Sequence, residues 1–178
     1  MERSRKIVLA AHCLLNTNAK VDGLSTEKAC AKKLIYHLIE HDYGIIQLPC
    51  VEMDMCGISR WGQVKDQLDH PHFRDRCEEL LRPVVYQVED YLSNGYQVAA
   101  VIGVDGSPTC GVGRTCRGEW SGEIGERYHT MEKARTCRMS GESGVMMDVL
   151  REMLKNRNIT IPFRAVDEED SDHFLLNI

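Results

Sequence analysis

Gln97-Val98-Ala99-Ala100-Val101-Ile102-Gly103-Val104-Asp105-Gly106-Ser107-Pro108-Thr109-Cys110-Gly111 is the stretch that decides the fold. Residues 97–104 form an almost unbroken apolar run, rich in β-branched Val and Ile and too short for an ordinary helix. Such a run predicts a strand buried on both faces, as in the interior of a parallel sheet. It stops at Asp105-Gly106-Ser107-Pro108, residue types that favour a turn. A cysteine, Cys110, then lies just past the carboxyl end of the strand.

The same pattern occurs twice upstream. Lys6 to Ala11 reads as a buried strand ending at His12-Cys13, with a polar loop through Asp22-Gly23 after it. Gly44 to Leu48 reads as a second strand, ending at Pro49-Cys50. Between these two, Ser25 or Thr26 is positioned to cap a helix, with Glu27 in its first turn. Cys30, Leu34, Ile35, Leu38 and Ile39 then recur at helical spacing, and Gly44 marks the stop. A longer helix is predicted over Pro71–Ser93, with Asp69-His70-Pro71-His72 as its start rather than a metal site. Pro83 is expected to kink or divide it, and Asn94-Gly95 to close it.

Downstream, residues 111–141 are glycine-rich and polar with no sustained period, which predicts a long irregular loop. A helix over about 142–156 and a strand over Thr160–Val166 complete the pattern, before an acidic run, Asp167-Glu168-Glu169-Asp170, expected to be solvated. The order β-α-β-α-β-loop-α-β implies one α/β domain over residues 1–178. Its sheet is expected to be open, mainly parallel and Rossmann-like, with helices on both faces and the long loop after the third strand.

The chain has 178 residues, 43% of them hydrophobic, enough for a core of its own. A net charge of −5 argues against a general nucleic-acid binder, although Arg114, Arg117, Arg127, Lys133, Arg135 and Arg138 make one segment locally basic. No apolar run approaches the ~20 residues of a membrane span. The Met1–Leu15 segment resembles a signal peptide only superficially: His12 breaks its short apolar core, and a buried first strand explains it better. Eight cysteines in a chain of this length, with strong helical patterns, read as reduced thiols of a cytoplasmic protein rather than as a disulfide scaffold.

In open α/β sheets ligands bind beyond the carboxyl ends of the strands. Cys13, Cys50 and Cys110 each follow a predicted strand. If these strands are parallel neighbours, about 4.8 Å apart, the three loops share one crevice. Thiolates there suit zinc, copper(I) or iron in a cluster. Structural zinc normally shows close cysteine pairs, which are missing among these three. A cubane iron–sulfur cluster can instead gather cysteines from distant loops, with Cys56, Cys116 or Cys137 open as a fourth ligand. A plainer reading makes all three buried apolar residues. A metal-free thiol-redox enzyme, using for example Cys110 with Cys116, also fits the cysteine pattern, as does a sensor that binds metal without turnover. Glu52, two residues past Cys50, is a candidate general base, with Asp54 and Asp105 as weaker ones. The Ser107 hydroxyl either faces the crevice or stabilises its turn. His12 points away from Cys13 if the strand continues. Trp61 and Trp120, in loops, are placed to wall a pocket for a flat ligand.

Three segments together carry a resemblance: His12-Cys13-Leu14-Leu15-Asn16, Ile45-Ile46-Gln47-Leu48-Pro49-Cys50-Val51-Glu52 and Gly106-Ser107-Pro108-Thr109-Cys110-Gly111. They resemble the three signature loops of the thiouracil desulfurase (TudS) family, nearest to its TudS-related desulfidases. The resemblance extends to Leu81-Arg82-Pro83-Val84-Val85 and the helix near Met146. It implies a [4Fe–4S] cluster on Cys13, Cys50 and Cys110, with Glu52 and Ser107 as catalytic residues. It also implies a small-molecule thiolated substrate, from which sulfur leaves as hydrosulfide by hydrolysis. The family's Cys-Pro-Glu reads Cys50-Val51-Glu52 here, and Thr109 stands where serine is common.

Overall fold

The structure, a computed structural model, describes residues 2–125 and 129–167. Four strands make one parallel sheet: β1 (Lys6–Ala10), β2 (Gly44–Gln47), β3 (Gln97–Val104) and, last in the chain, Phe163–Val166. The last is numbered β6, because Thr115–Arg117 (β4) and Arg138–Ser140 (β5) form a separate antiparallel ribbon. The sheet order is β2-β1-β3-β6. β1 and β3 are fully enclosed along most of their length, as their unbroken apolar sequences require.

The chain steps from β1 to β2 in one direction, then returns past β1 to β3 and on to β6. Right-handed crossovers therefore place the β1–β2 helix on one face and the later helices on the other. The first of these is α2 (Lys32–Glu40). The later pair, α5 (Pro71–Ser93) and α7 (Val145–Lys155), pack against each other. The reversal between β1 and β3 is a topological switch point, where such sheets open a crevice at their carboxyl edge.

Four short helices complete the chain: α1 (His12–Leu15), α3 (Val51–Cys56), α4 (Lys65–Leu68) and α6 (Thr130–Ala134). A single 3₁₀ turn covers Thr17–Ala19. The core joins Val8, Leu9 and Ala10 of β1 to Val101 and Ile102 of β3, and covers them with Phe73, Leu81 and Val85 of α5 and Met146, Met147 and Leu150 of α7.

α5 has the predicted bounds. Pro71 occupies its first turn, His70 accepts the Phe73 N–H at its cap, and Asn94 closes it. Pro83 does not divide the helix; it lies on the exposed side, where water can satisfy the carbonyl it leaves free. The helix expected from Ser25 or Thr26 starts only at Lys32. Residues 25–31 bond instead to the segment after β1: Thr17 N–H donates to Ala29 O, the Thr17 hydroxyl to Glu27 O, and Ala31 N–H to Leu14 O. Cys30 therefore lies ahead of the helix, half-buried, and not on its apolar face. Within residues 111–141 the β4–β5 ribbon and α6 replace the expected irregular loop in part. Most of the acidic run, residues 168–170, and Arg127 of the basic segment lie outside the described residues.

Candidate metal centre

Each of the three cysteines sits where a parallel strand hands over to the next element. β1 ends at Ala10, and Cys13 is carried on the single turn of α1. β2 ends at Gln47, and Cys50 caps the amino end of α3. β3 ends at Val104, and a tight loop returns Cys110 over the strand, with Val104 N–H donating to Cys110 O at 3.0 Å.

This return requires glycine at three places. A Cβ on Gly103 would stand 2.3 Å from the Cys110 carbonyl oxygen, one on Gly111 2.1 Å from Arg114 O, and one on Gly144 2.5 Å from the Thr109 carbonyl carbon. The amino end of α7 closes over the same loop. Gly144 N–H donates to Gly111 O, Val145 N–H to Pro108 O, and Met146 N–H to Thr109 O. The loop's carbonyls thus satisfy the helix's first amides, which no side chain caps.

The Cys110 thiol is buried, and this pushes its pKa well above the ordinary thiol value. Cys13, Cys50, Glu52 and Cys77 act on it electrostatically in the same direction, so all four lie in its neighbourhood. Burial also raises the Cys50 thiol, against the opposing pull of nearby amides and of the Arg60 guanidinium. Thiols raised in this way, Cys110 and Cys50, stay protonated near neutral pH, and a metal centre would supply the positive charge that lets them ionise. Among the described residues, no three His, Cys, Asp or Glu side chains close on one point as ligands of a single ion would. A cluster makes a different demand, because each of its cysteines binds a separate iron.

Glu52, in the first turn of α3, is buried, and both of its oxygens are engaged. Oε1 accepts from Arg60 Nε at 2.7 Å, and Oε2 accepts from the Thr109 hydroxyl at 2.9 Å. Arg60 is itself buried and donates onward to Ala19 O and Gly57 O. Neither Arg60 nor Thr109 stands out as a partner of Glu52 in the sequence, since a pair that forms through folding leaves no periodic signal.

Ser107 Oγ accepts the N–H groups of Thr109 and Cys110, at 3.2 and 2.9 Å, so it holds the turn that carries the cysteine. Asp105 has a similar loop role: its Oδ1 accepts from the amides of Val112, Gly113 and Arg114. Asp54 faces away, paired by both oxygens to Arg76, whose hydrogen bonds lower the Asp54 pKa. His12 begins α1 rather than extending the strand; its Nε2 is buried and has no hydrogen-bond partner among the described residues.

Beside Arg60 opens a cleft of 340 Å³, lined by both tryptophans, Trp61 and Trp120, together with Gln63, Gln67 and Ile124. Trp120 is fixed by its Nε1, which donates to Gly62 O at 2.9 Å. Arg60 links the two places, since it both lines the cleft and holds Glu52. Cys56 reaches the cleft from the end of α3, whereas Cys116 and Cys137 meet each other on the β4–β5 ribbon. No described helix is long and apolar enough to cross a membrane.

No protein-family model matches the chain. Among solved structures it is similar to a [4Fe-4S]-dependent thiouracil desulfidase, TudS, with a TM-score of 0.47 and 17% identity over 96% of each chain. Among curated proteins it is 33% identical over 110 residues to the uncharacterized protein MJ0003 of Methanocaldococcus jannaschii, a match covering 62% of this chain and 70% of that one. On that identity and coverage, the chain belongs to the family of MJ0003.

Proposed function

We propose that the protein is an iron–sulfur-dependent desulfidase that removes sulfur as hydrosulfide from a thiocarbonyl compound such as a thiolated nucleobase. The observation that carries this reading is the placement of Cys13, Cys50 and Cys110 just past the carboxyl ends of three neighbouring parallel strands, with Glu52 two residues beyond Cys50. Cys13, Cys50 and Cys110 would hold a [4Fe–4S] cluster, which with three protein ligands supplies one open iron as a Lewis acid for sulfur.

The remaining chemistry belongs to the chain's own side chains. Each oxygen of a carboxylate has two acceptor sites, so Glu52 keeps capacity for a water after bonding Arg60 and Thr109. It serves as the base that takes a proton from the attacking water. Arg60 and Thr109 fix its rotamer. Ser107 uses its oxygen to accept two amides and retains its own hydroxyl hydrogen to donate to substrate. Trp61 and Trp120 give a planar substrate ring apolar walls. In the net reaction, a thiocarbonyl and water become a carbonyl and hydrogen sulfide, with no external electrons.

Anaerobic purification tests the reading. The expected protein contains iron and acid-labile sulfide, and it releases sulfide from 2-thiouracil or a related thiolated base. Cys13→Ser, Cys50→Ser and Cys110→Ser each lose the iron, whereas Cys77→Ser and Cys30→Ser keep it. Glu52→Gln keeps the iron and slows sulfide release by ~10²–10⁴-fold, the usual worth of a general base. A protein with a complete cluster that releases no sulfide from any thiocarbonyl compound would point instead to a sensor. A protein that binds only zinc would sink the cluster.

A further inference from the structure

Two of the eight cysteines lie apart from this centre and close to each other. Cys116 is the middle residue of β4, and Cys137 immediately precedes β5. In the ribbon Cys116 stands opposite Met139 and Arg117 opposite Arg138, so Cys137 is the diagonal neighbour of Cys116 on the same face. The Cys137 side chain lies close enough to the Cys116 thiol to act on it. Gly118 makes room for this: a Cβ there would lie 2.9 Å from Cys137 Cα and 3.1 Å from Cys137 Sγ. Both cysteines are half-buried, so a small oxidant can reach them.

The place of the pair in the chain gives it a consequence. Trp120, Ile124 and Lys133 line the cleft, and all three come from the segment between Cys116 and Cys137. The ribbon is anchored right beside the pair: Arg117 pairs with Glu142 and Asp66, and Gly118 N–H donates to Asp66. The two thiols thus sit at the base of one cleft wall.

We propose that Cys116 and Cys137 are a reversible disulfide site, oxidised by a hydroperoxide and reduced by a dithiol, that ties the base of the Trp120 wall of the cleft. The electron and atom balance closes. One thiolate attacks the peroxide; its O–O bond breaks, an alcohol or water leaves, and a sulfenic acid remains. The second thiol attacks that sulfur, the S–S bond forms, the S–O bond breaks, and water leaves. Burial and the neighbouring Cys137 push the Cys116 thiol up, which suits it to the second, resolving step.

The test treats the reduced, full-length protein with hydrogen peroxide, then blocks the remaining thiols with an alkylating agent and maps the peptides. The expected result is a cross-linked peptide joining Cys116 to Cys137, with equal loss of both alkylated peptides and full recovery after dithiothreitol. Cys116→Ser is expected to abolish the cross-link and let Cys137 proceed to sulfinic acid, while Cys56→Ser leaves the cross-link unchanged. In Trp61→Phe, where Trp120 is the only tryptophan, emission is expected to shift on oxidation and return on reduction. Wild-type protein in which Cys116 and Cys137 stay alkylatable, or in which the disulfide joins other cysteines, overturns the proposal. A disulfide that forms with no change in Trp120 emission overturns its link to the cleft.

Discussion

At Arg60 a positive charge and a carboxylate are buried together, and the partnership determines how each can be changed. The guanidinium neutralises Glu52 and also satisfies the carbonyls of Ala19 and Gly57. Arg60→Met would leave the Glu52 carboxylate buried without a counter-charge. The expected cost is about 3 kcal/mol, read from chemical unfolding, because stranding one member of a buried pair costs far more than the pair is worth. The double variant Arg60→Met/Glu52→Gln should recover part of that loss but not all, since the two carbonyls still lack their donor. A double variant no more stable than Arg60→Met alone would show that the charge is not what matters. Glu52 could be read as a candidate from its distance to Cys50 along the chain. Its partners could not, because Arg60 and Thr109 reach it through the fold, from eight and fifty-seven residues away.

Among the elements, the strand β3 and the loop it feeds form one construction. Gly103 lets the Cys110 carbonyl lie against the strand, where any Cβ would collide with backbone. Gly103→Ala is therefore expected to destabilise by about 2 kcal/mol through overpacking. It should also lower iron retention during anaerobic purification although no ligand is removed. An alanine variant with wild-type iron content would show that the loop's close approach is not needed for binding. β3 and α5 are legible in the sequence, because an unbroken apolar run, Pro71 in a first turn and Asn94-Gly95 at a helix end are strong local signals. The start of α2 is not, because residues 25–31 have helical spacing but bond to Thr17 and Leu14 instead, a tertiary choice that overrides the local pattern. The ribbon is hidden for another reason: its strands have three residues each, too few to show alternation.

For the molecule as a whole, the alternation of strands and helices predicts a mainly parallel sheet, and the order its strands adopt, β2-β1-β3-β6, brings the loops of three distant cysteines to one edge. What the strand order leaves unspecified is how the ribbon is fastened to this sheet. That is done by charge: Lys65, almost fully buried, donates to Glu142, Asp148 and Ser143 O, and Glu142 in turn holds Arg117. Hydrogen bonds from Arg117 and Ser140, then Lys65, hold the Glu142 carboxyl far below the usual carboxylate range. Asp66 is lowered chiefly by the Gly118 amide, and Asp69 by Arg74. A carboxylate whose pKa is lower in the folded state adds stability that is complete above its unfolded value, about 4, and is lost as pH falls toward the folded value. Unfolding midpoints are thus expected to ease down below about pH 6.5, where burial of the His12 imidazole opposes its protonation, and to fall more steeply below about pH 4, where these carboxylates protonate. Glu142→Gln should lower stability at neutral pH by about 1–2 kcal/mol, since its side chain is partly open to solvent, and should flatten the acid limb. An unchanged acid limb in that variant would remove Glu142 from the account.

The amino end of α7 spends its first amides on the carbonyls of Pro108, Thr109 and Gly111. Those bonds couple two pieces of backbone that are otherwise far apart in sequence, so neither can open alone. Exchange of the Val145 and Met146 amide hydrogens with deuterated water is therefore expected to be slow and to track the order of the Cys110 loop. These two positions would serve as a built-in gauge of whether the loop is set, readable in the unlabelled protein without substrate.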